Sequence, residues 1–279
     1  MTPFKSSLMR GGRACADALF PRICYGCGGF MEPGRKPHGA TDLQTLAAGP
    51  MEAAVGPILS PYVCRQCLFD VTPVDSPVCT RCGEIIKSPA VADPLCSDCI
   101  SRQKHFTRAR AAVKYDGVVL NLIHSFKYRG KTGLAKPLGR LLYIALCRHF
   151  DPNGHRRVIP VPLHPKRLRS RGYNQALLMA RQWPFQGNTG NGQHRGPRID
   201  NTILLRRKNT DSQTGLGKKQ RRQNIGNAFA VSGGAQIHGE PVLLVDDVYT
   251  TGSTLEECAR VLAKAGAARV DVLTLARAE

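Results

Sequence analysis

Acidic residues are scarce in this 279-residue chain, where 20 Asp and Glu stand against 40 Lys and Arg for a formal net charge of +20. Between residues 152 and 239 only Asp200 and Asp211 are acidic. A surface of that sign attracts polyphosphates by counterion release and binds them with steep salt dependence. The plainer alternative is that the excess Lys and Arg only keep the chain soluble. Aromatic residues are also few, at 6% with a single Trp, so sequence-specific recognition by base stacking is not supported. No stretch reaches the roughly 20 apolar residues of a membrane span. The first twenty residues scatter Lys5, Arg10 and Arg13 among short apolar pieces, without the continuous apolar centre of a secretory leader. The expectation is a cytoplasmic protein with no membrane span, in a compartment where disulfides are improbable. Residues 14 to 20 read as an amphipathic helical turn.

Cysteine is the exception to this sparseness. Cys24 and Cys27, Cys64 and Cys67, Cys79 and Cys82, and Cys96 and Cys99 form four Cys-x-x-Cys pairs, the one internal repeat in the chain. Each pair offers two thiolates from one tight turn, and two pairs complete a tetrahedral Zn2+ site with Zn–S distances of about 2.3 Å. Two structural zinc ribbons are the leading reading. Sequential pairing would join Cys24, Cys27, Cys64 and Cys67 in one site and Cys79, Cys82, Cys96 and Cys99 in the other, while a cross-braced arrangement of first with third and second with fourth stays open. Residues 31 to 60, rich in Gly, Pro and Ala, show no helical or strand period and read as an insertion. Cys147 and Cys258 read as small buried helix residues, and Cys15 also falls outside the pairs.

Length allows one core of ordinary size plus a small metal-held module. The boundary is expected near Thr107, giving a ribbon domain over 1–107 and a second domain over 108–279 with an insertion at about 185–199. Strands are expected at about 111–115, 157–161, 202–206, 242–246 and 270–275. Helices are expected around Val118 to Phe126, at about 134–149 and at about 173–183. This alternation predicts a parallel sheet with helices on both faces.

The most informative stretch is Val242 to Thr254. The unbroken apolar run Val242–Val245 suits a strand covered on both faces, and Asp246 and Asp247 follow at its carboxyl end. Beyond them Leu255, Cys258, Ala259, Leu262 and Ala265 recur at helical spacing, with Gly266 as the stop. Thr250, Thr251, Gly252, Ser253 and Thr254 therefore enter a helix, where a phosphate meets unpaired amides and the positive end of the helix dipole. The two carboxylates can bind ribose hydroxyls or the shell of a hard cation such as Mg2+. An anionic end and a diol describe a phosphorylated sugar.

This segment resembles the signature of the type I phosphoribosyltransferases for 5-phosphoribosyl-1-pyrophosphate (PRPP). The resemblance implies that Asp246 and Asp247 bind the ribose hydroxyls with Mg2+ and that Thr250 to Thr254 wrap the 5-phosphate. It also implies a pyrophosphate loop after the strand Val158–Pro162, at Leu163, His164, Pro165, Lys166 and Arg167, within a basic loop that continues through Arg169 and Arg171. A mobile lid between two further strands would carry Arg221, Arg222 and Asn224. With the cysteine-rich front end, and with the narrower motif running from Val161 to Ala176 (Val-Pro-Leu-His-Pro-Lys-Arg-Leu-Arg-Ser-Arg-Gly-Tyr-Asn-Gln-Ala), the chain is similar to the ComF family over about Leu19 to Arg277. That resemblance implies a phosphoribosyltransferase fold behind a double zinc ribbon and a link to uptake of transforming DNA. An enzyme of the phosphoribosyl-transfer class is the leading expectation, with no general base assigned. The rival is a non-catalytic PRPP-sensing or single-stranded-DNA-binding adaptor that works through Lys166, Arg167, Arg169 and Arg171. A third view makes the ribbons a docking device for DNA-uptake proteins.

Overall fold

The structure is a computed structural model that describes residues 21–31, 42–87, 92–186, 196–209, 225–233 and 237–279. Seven strands and nine α-helices follow the chain as α1 (Leu43–Ala48), α2 (Met51–Leu59), α3 (Arg65–Phe69), α4 (Ser97–Ser101), β1 (Arg108–Lys114), α5 (Gly117–Tyr128), α6 (Ala135–His149), β2 (Arg157–Pro160), α7 (Pro165–Arg171), α8 (Gln175–Ala180), β3 (Arg198–Ile199), β4 (Leu204–Arg206), β5 (Phe229–Val231), β6 (Pro241–Tyr249), α9 (Ser253–Lys264) and β7 (Arg269–Arg277), counted among the described residues. Five strands form one sheet in the order β1-β7-β6-β2-β3, and every pairing in it is parallel. β4 and β5 form a separate antiparallel pair, with Leu204 opposite Val231.

Side chains alternate between the faces of a strand, and the sheet sorts its apolar residues accordingly. Val158, Leu243, Val245, Leu273 and Leu275 join α5, α6 and α8 in one core. Ile159, Val242, Leu244, Val270 and Val272 join α9 and the β4–β5 pair in the other. Helices on both faces follow, as the alternating pattern predicts. The first core also takes Cys24 and Cys67, and the second takes Cys79, Cys82, Cys96 and Cys99. Each cysteine cluster is thus built into the core on one face of the sheet.

The structure corrects several expectations. Residues 42–60 are not aperiodic, because α1 and α2 occupy them and bury Leu46, Met51, Ala54, Val55, Ile58 and Leu59 in the first core. The spacing Met51, Ala54, Val55, Ile58 is helical, but helices of 6 and 9 residues interrupted by Gly49, Pro50, Gly56 and Pro57 hide it. The basic segment after β2 is not a loop throughout. Pro165 to Arg171 form α7, with Pro165 in the first turn, His164 Nδ1 accepting from the Lys166 amide at 3.3 Å, and Gly172 at φ 82° ending it. The helix expected over 173–183 shortens to Gln175–Ala180, capped by Asn174. The expected insertion ends in structure, because Arg198 and Ile199 extend the sheet beside β2. The expectations for residues 14–20, for Cys15, and for Arg221, Arg222 and Asn224 of the lid lie outside the described residues, whereas the strands flanking that lid are β4 and β5. Among the described residues, no helix is long and apolar enough to cross a membrane.

Candidate functional site

The cysteines group sequentially rather than cross-braced. Cys24, Cys27, Cys64 and Cys67 bring their Sγ atoms within 4.8 Å of one another, and so do Cys79, Cys82, Cys96 and Cys99. A tetrahedral Zn2+ with Zn–S bonds of about 2.3 Å requires Sγ pairs about 3.8 Å apart. Cys27 and Cys64 are 3.9 Å apart and Cys82 and Cys96 are 3.6 Å apart. The clusters share a local design. In each, the first pair sits in a tight turn closed by a β-bridge, Ile23 with Phe30 and Val78 with Ile85. The second pair begins a short helix, Cys64 at the start of α3 and Cys96 at the start of α4. Backbone amides point at the first sulfur of each cluster, from Gly26 and Cys64 onto Cys24 at 3.3 and 3.2 Å, and from Cys82 and Cys96 onto Cys79, both at 3.4 Å. Burial raises the Cys24 and Cys79 thiols, but backbone amides, those of Cys27, Cys64 and Gly26 at Cys24 and of Cys96, Cys82 and Arg81 at Cys79, outweigh it and bring each down to about 7. Burial and neighbouring sulfurs push Cys67, Cys96 and Cys99 upward. Four thiolates in one such cluster therefore need a cation, and the donor set fits structural zinc.

The acid pair lies inside β6, which extends to Tyr249 rather than ending at Asp246. Because neighbours alternate across the sheet, Asp247 faces the α5 side and Asp246 the α9 side. Asp247 is buried and accepts from Lys127 Nζ at 2.7 Å. Burial lowers the Lys127 ammonium, but Asp247 outweighs that and holds it above its ordinary value. Asp246 Oδ1 accepts from the Asp247 amide at 2.8 Å. Burial first, then the Asp247 charge, push the Asp246 carboxyl up to about 7 against the opposing pull of Lys127, the Asp247 amide and Arg206. The result is two adjacent acids in different surroundings, one paired with an ammonium and the other raised by burial and by its neighbour's charge.

Beyond the end of β6 at Tyr249, the chain turns into α9 through Gly252. Gly252 stands at φ 71° immediately before the helix, whose first residue is Ser253. Gly252 and Ser253 are buried, Thr251 and Thr254 are partly buried, and Thr250 is exposed. Thr251 Oγ1 lies 3.0 Å from Ser253 Oγ, and the first-turn amides of a helix have no acceptor within it. The site therefore brings hydroxyls, the amino end of a helix and its dipole within one short loop of the two carboxylates.

The basic helix α7 approaches from β2, the strand beside β6. Lys166 and Arg169 are exposed, Arg167 and Arg171 are partly buried, and Leu163, His164 and Pro165 lead into the helix. The Arg171 guanidinium lies 5.0 Å from the ring centroid of exposed Tyr128, next in sequence to Lys127. Arg206 on β4 stands between the two regions: burial, and then Arg167, lower it, and it in turn lowers Asp246. Lys127, Arg206, Tyr249 and Arg277 were not among the residues the sequence singled out. Lys127 and Arg206 each stand close to other basic residues in a chain full of Lys and Arg, and only the fold places them near the acids.

A sequence model described as "Phosphoribosyl transferase domain" matches residues 201–279, which include β6, the loop and α9. "Competence protein F" of Haemophilus influenzae is 34% identical over 209 residues, covering 72% of this chain and 85% of that protein. "DNA utilization protein YhgH" of Escherichia coli is 29% identical over 227 residues, covering 77% of this chain and 90% of that protein. "Competence protein ComFC" of Bacillus subtilis is 26% identical over 222 residues, covering 77% and 84%. Those likenesses span most of both chains, and a parallel sheet with a phosphoribosyltransferase domain behind two four-cysteine clusters is the architecture that the sequence motifs lead to; the chain belongs to the ComF family.

Proposed function

We propose that the chain binds PRPP at the carboxyl edge of β6 and β2 and transfers its phosphoribosyl group to an acceptor nitrogen, in the handling of incoming DNA to which the names of its relatives refer. One observation carries this reading: Asp246 and Asp247 lie on the same strand that turns, through Gly252, into the amino end of α9. A diol acceptor and an anion cradle are thereby held about one short loop apart, which suits a 5-phosphorylated ribose. In this reading the carboxylates accept from the ribose hydroxyls, and Lys127 holds Asp247 in place through their 2.7 Å contact. Thr250 to Thr254 hold the 5-phosphate. Leu163 to Arg167 receive the pyrophosphate, where Lys166 and Arg167 offset its charge.

Magnesium, when bound, neutralises pyrophosphate charge and makes it a better leaving group. Among the described residues the acid pair is not part of a cage of metal ligands, and Asp247 already has a cationic partner. The ion would therefore be held mainly by the substrate's own oxygens, with the acids supporting it through the ribose hydroxyls. The protein's share of the chemistry is positioning and electrostatic stabilisation, with Arg221, Arg222 and Asn224 assigned to the cover that excludes water. Titration calorimetry of PRPP into the zinc-loaded protein tests the assignment. Binding is expected with Mg2+, weakened without it and lost in Asp246→Asn/Asp247→Asn with zinc content unchanged; unchanged affinity in that variant sinks the site.

A second reading, a non-catalytic PRPP-sensing or DNA-binding adaptor, is favoured by one observation. Tyr128 is exposed beneath Arg171 at the end of a helix that carries Lys166, Arg167 and Arg169, which pairs an aromatic platform with a cationic track suited to a single strand. Charge reversal at those four basic residues should abolish salt-sensitive binding of an oligothymidylate if this reading holds. Binding that persists would favour docking of the ribbons onto DNA-uptake proteins.

A further inference from the structure

The second cysteine cluster touches the strand ends that carry the anion-binding loop, and it does so through two buried side chains. Arg277 ends β7 and is paired across the sheet with Tyr249, which ends β6. Both are buried, at 6% and 5% exposure. The Arg277 guanidinium donates to the Cys82 carbonyl at 2.6 Å and lies 3.7 Å from Cys82 Sγ. Its carbon sits 4.2 Å from the centroid of the Tyr249 ring. The other side of this contact is Gly252. A Cβ at Gly252 would lie 2.3 Å from the Tyr249 hydroxyl oxygen and 2.5 Å from its ring carbon Cζ. The phenol thus lies directly against the loop backbone, and a ring that moves toward Gly252 has no room unless the loop shifts.

We infer that Arg277 and Tyr249 are positioning residues for the anion-binding loop and that metal in the second cluster is their anchor. The inference rests on the reading of Thr250 to Thr254 as a phosphate site. Cys82 is a ligand in the turn that the metal closes, so its carbonyl is fixed only while that turn is fixed. The carbonyl orients Arg277, the guanidinium orients the Tyr249 ring by stacking and charge, and the ring supports Gly252. Phe106 packs edge-on against the same ring at 6.5 Å. The segment that leaves the cluster adds a second tie: the backbone N–H of His105 donates to Glu256 Oε1 at 3.1 Å and its Nδ1 lies 2.7 Å from the same oxygen, in the first turn of α9. A small pocket of about 220 Å³ beside the loop is lined by Lys104 and Phe106 from this segment and by Tyr249, Gly252 and Ser253 from the site. The ribbon is therefore the rear wall of the loop. The first cluster makes its ties elsewhere, to α5, where Asn121 Nδ2 donates to the Gly26 carbonyl at 2.7 Å.

The test is amide hydrogen exchange over residues 250–256, followed by mass spectrometry, together with calorimetry of PRPP with Mg2+. The proteins are the full zinc-loaded chain, Arg277→Met, Arg277→Lys and Arg148→Met. Arg148 is a control, since it also bonds a carbonyl, that of Gly49 at 2.6 Å, but in the core with α1 and α2. Arg277→Met is expected to keep two zinc ions per chain, to exchange at least about tenfold faster over 250–256 and to bind PRPP about tenfold more weakly. Arg277→Lys should recover part of both, and Arg148→Met should leave loop exchange at the wild-type rate. Two-zinc Arg277→Met with wild-type loop exchange and wild-type affinity overturns the inference. Should that variant not fold, unchanged loop exchange in Arg277→Lys, which lacks the planar fork, overturns it equally. A wild type that binds no PRPP would remove the PRPP reading, while the exchange rates would still decide the positioning role.

Discussion

The two cysteine clusters share a ligand pattern and a local fold, yet they differ in how they are closed and in what they hold. All four sulfurs of the second cluster belong to buried residues, whereas in the first Cys27 is exposed and Cys64 only partly buried. The second cluster lies in the core that contains α9 and supports the loop at Gly252 through Arg277 and Tyr249. The first lies in the core that contains α5 and packs against its first turn, where a Cβ on Gly26 would meet Val118 at 3.1 Å. The last turn of α5 carries Lys127, the partner of Asp247. The two clusters thus pack on opposite faces of the sheet, one beside α9 and the other beside α5, the helix that carries Lys127. A motif repeated in sequence meets two different sets of neighbours because the sheet between the copies has two faces.

The largest effect should come from cutting ligands in the two clusters in parallel. Structural zinc contributes on the order of 10 kcal/mol in small zinc modules. Cys82→Ser, in the closed cluster that shares a core with β6, β7 and α9, should lower zinc to one ion per chain and unfold the chain as a unit in urea. Cys27→Ser should also lose one ion but leave a cooperative transition for the sheet. Two separate transitions in the wild type would instead show that residues 1–107 fold independently and would break the comparison.

Next in size is the effect at the acid pair. Lys127→Met leaves Asp247 buried without its counter-ion, which costs about 3–5 kcal/mol. The loss should appear in urea unfolding with both zinc ions retained, and a change under about 1 kcal/mol would mean that Asp247 finds another partner.

The smallest effect is a pH dependence. The Asp246 carboxyl stands near 7 before ligand binds, and hydroxyl donors from a sugar favour its ionised form. Binding therefore lowers its pKa and releases a proton, so affinity for PRPP should rise with pH up to about 7 and level off above. Below the midpoint the slope should approach about tenfold per pH unit. Lys127→Met removes a charge that pulls Asp246 down, so the midpoint should move above 7. A flat profile from pH 5.5 to 8 would show that Asp246 does not take part as a carboxylate.

Much of this architecture was legible in the order of residues. The apolar run before Asp246, the period-3.6 stripe of α9 and the Cys-x-x-Cys spacing are local signals, and each produced the expected strand, helix or metal cluster. The errors came where local signals were weak. α1 and α2 are short and broken by Gly and Pro, and they hold together by burying Leu46, Met51, Ile58 and Leu59 against the first core rather than by propensity. α7 was hidden by its charges, because a helix with no buried residue leaves no apolar stripe to detect.

The parallel α/β class, the eight cysteines of the two clusters and the strand that runs from two acids into a Thr/Gly/Ser loop were written in the sequence, because each depends on residues within a few positions of one another. The three-dimensional fold was needed to show which cysteine pairs join, that the two clusters occupy opposite faces of the sheet, and that Lys127 meets Asp247 across 120 positions while Arg277 meets Cys82 across 195. Those contacts are set by strand order and by the side of the sheet on which each helix packs, and neither is recorded in the spacing of residues along the chain.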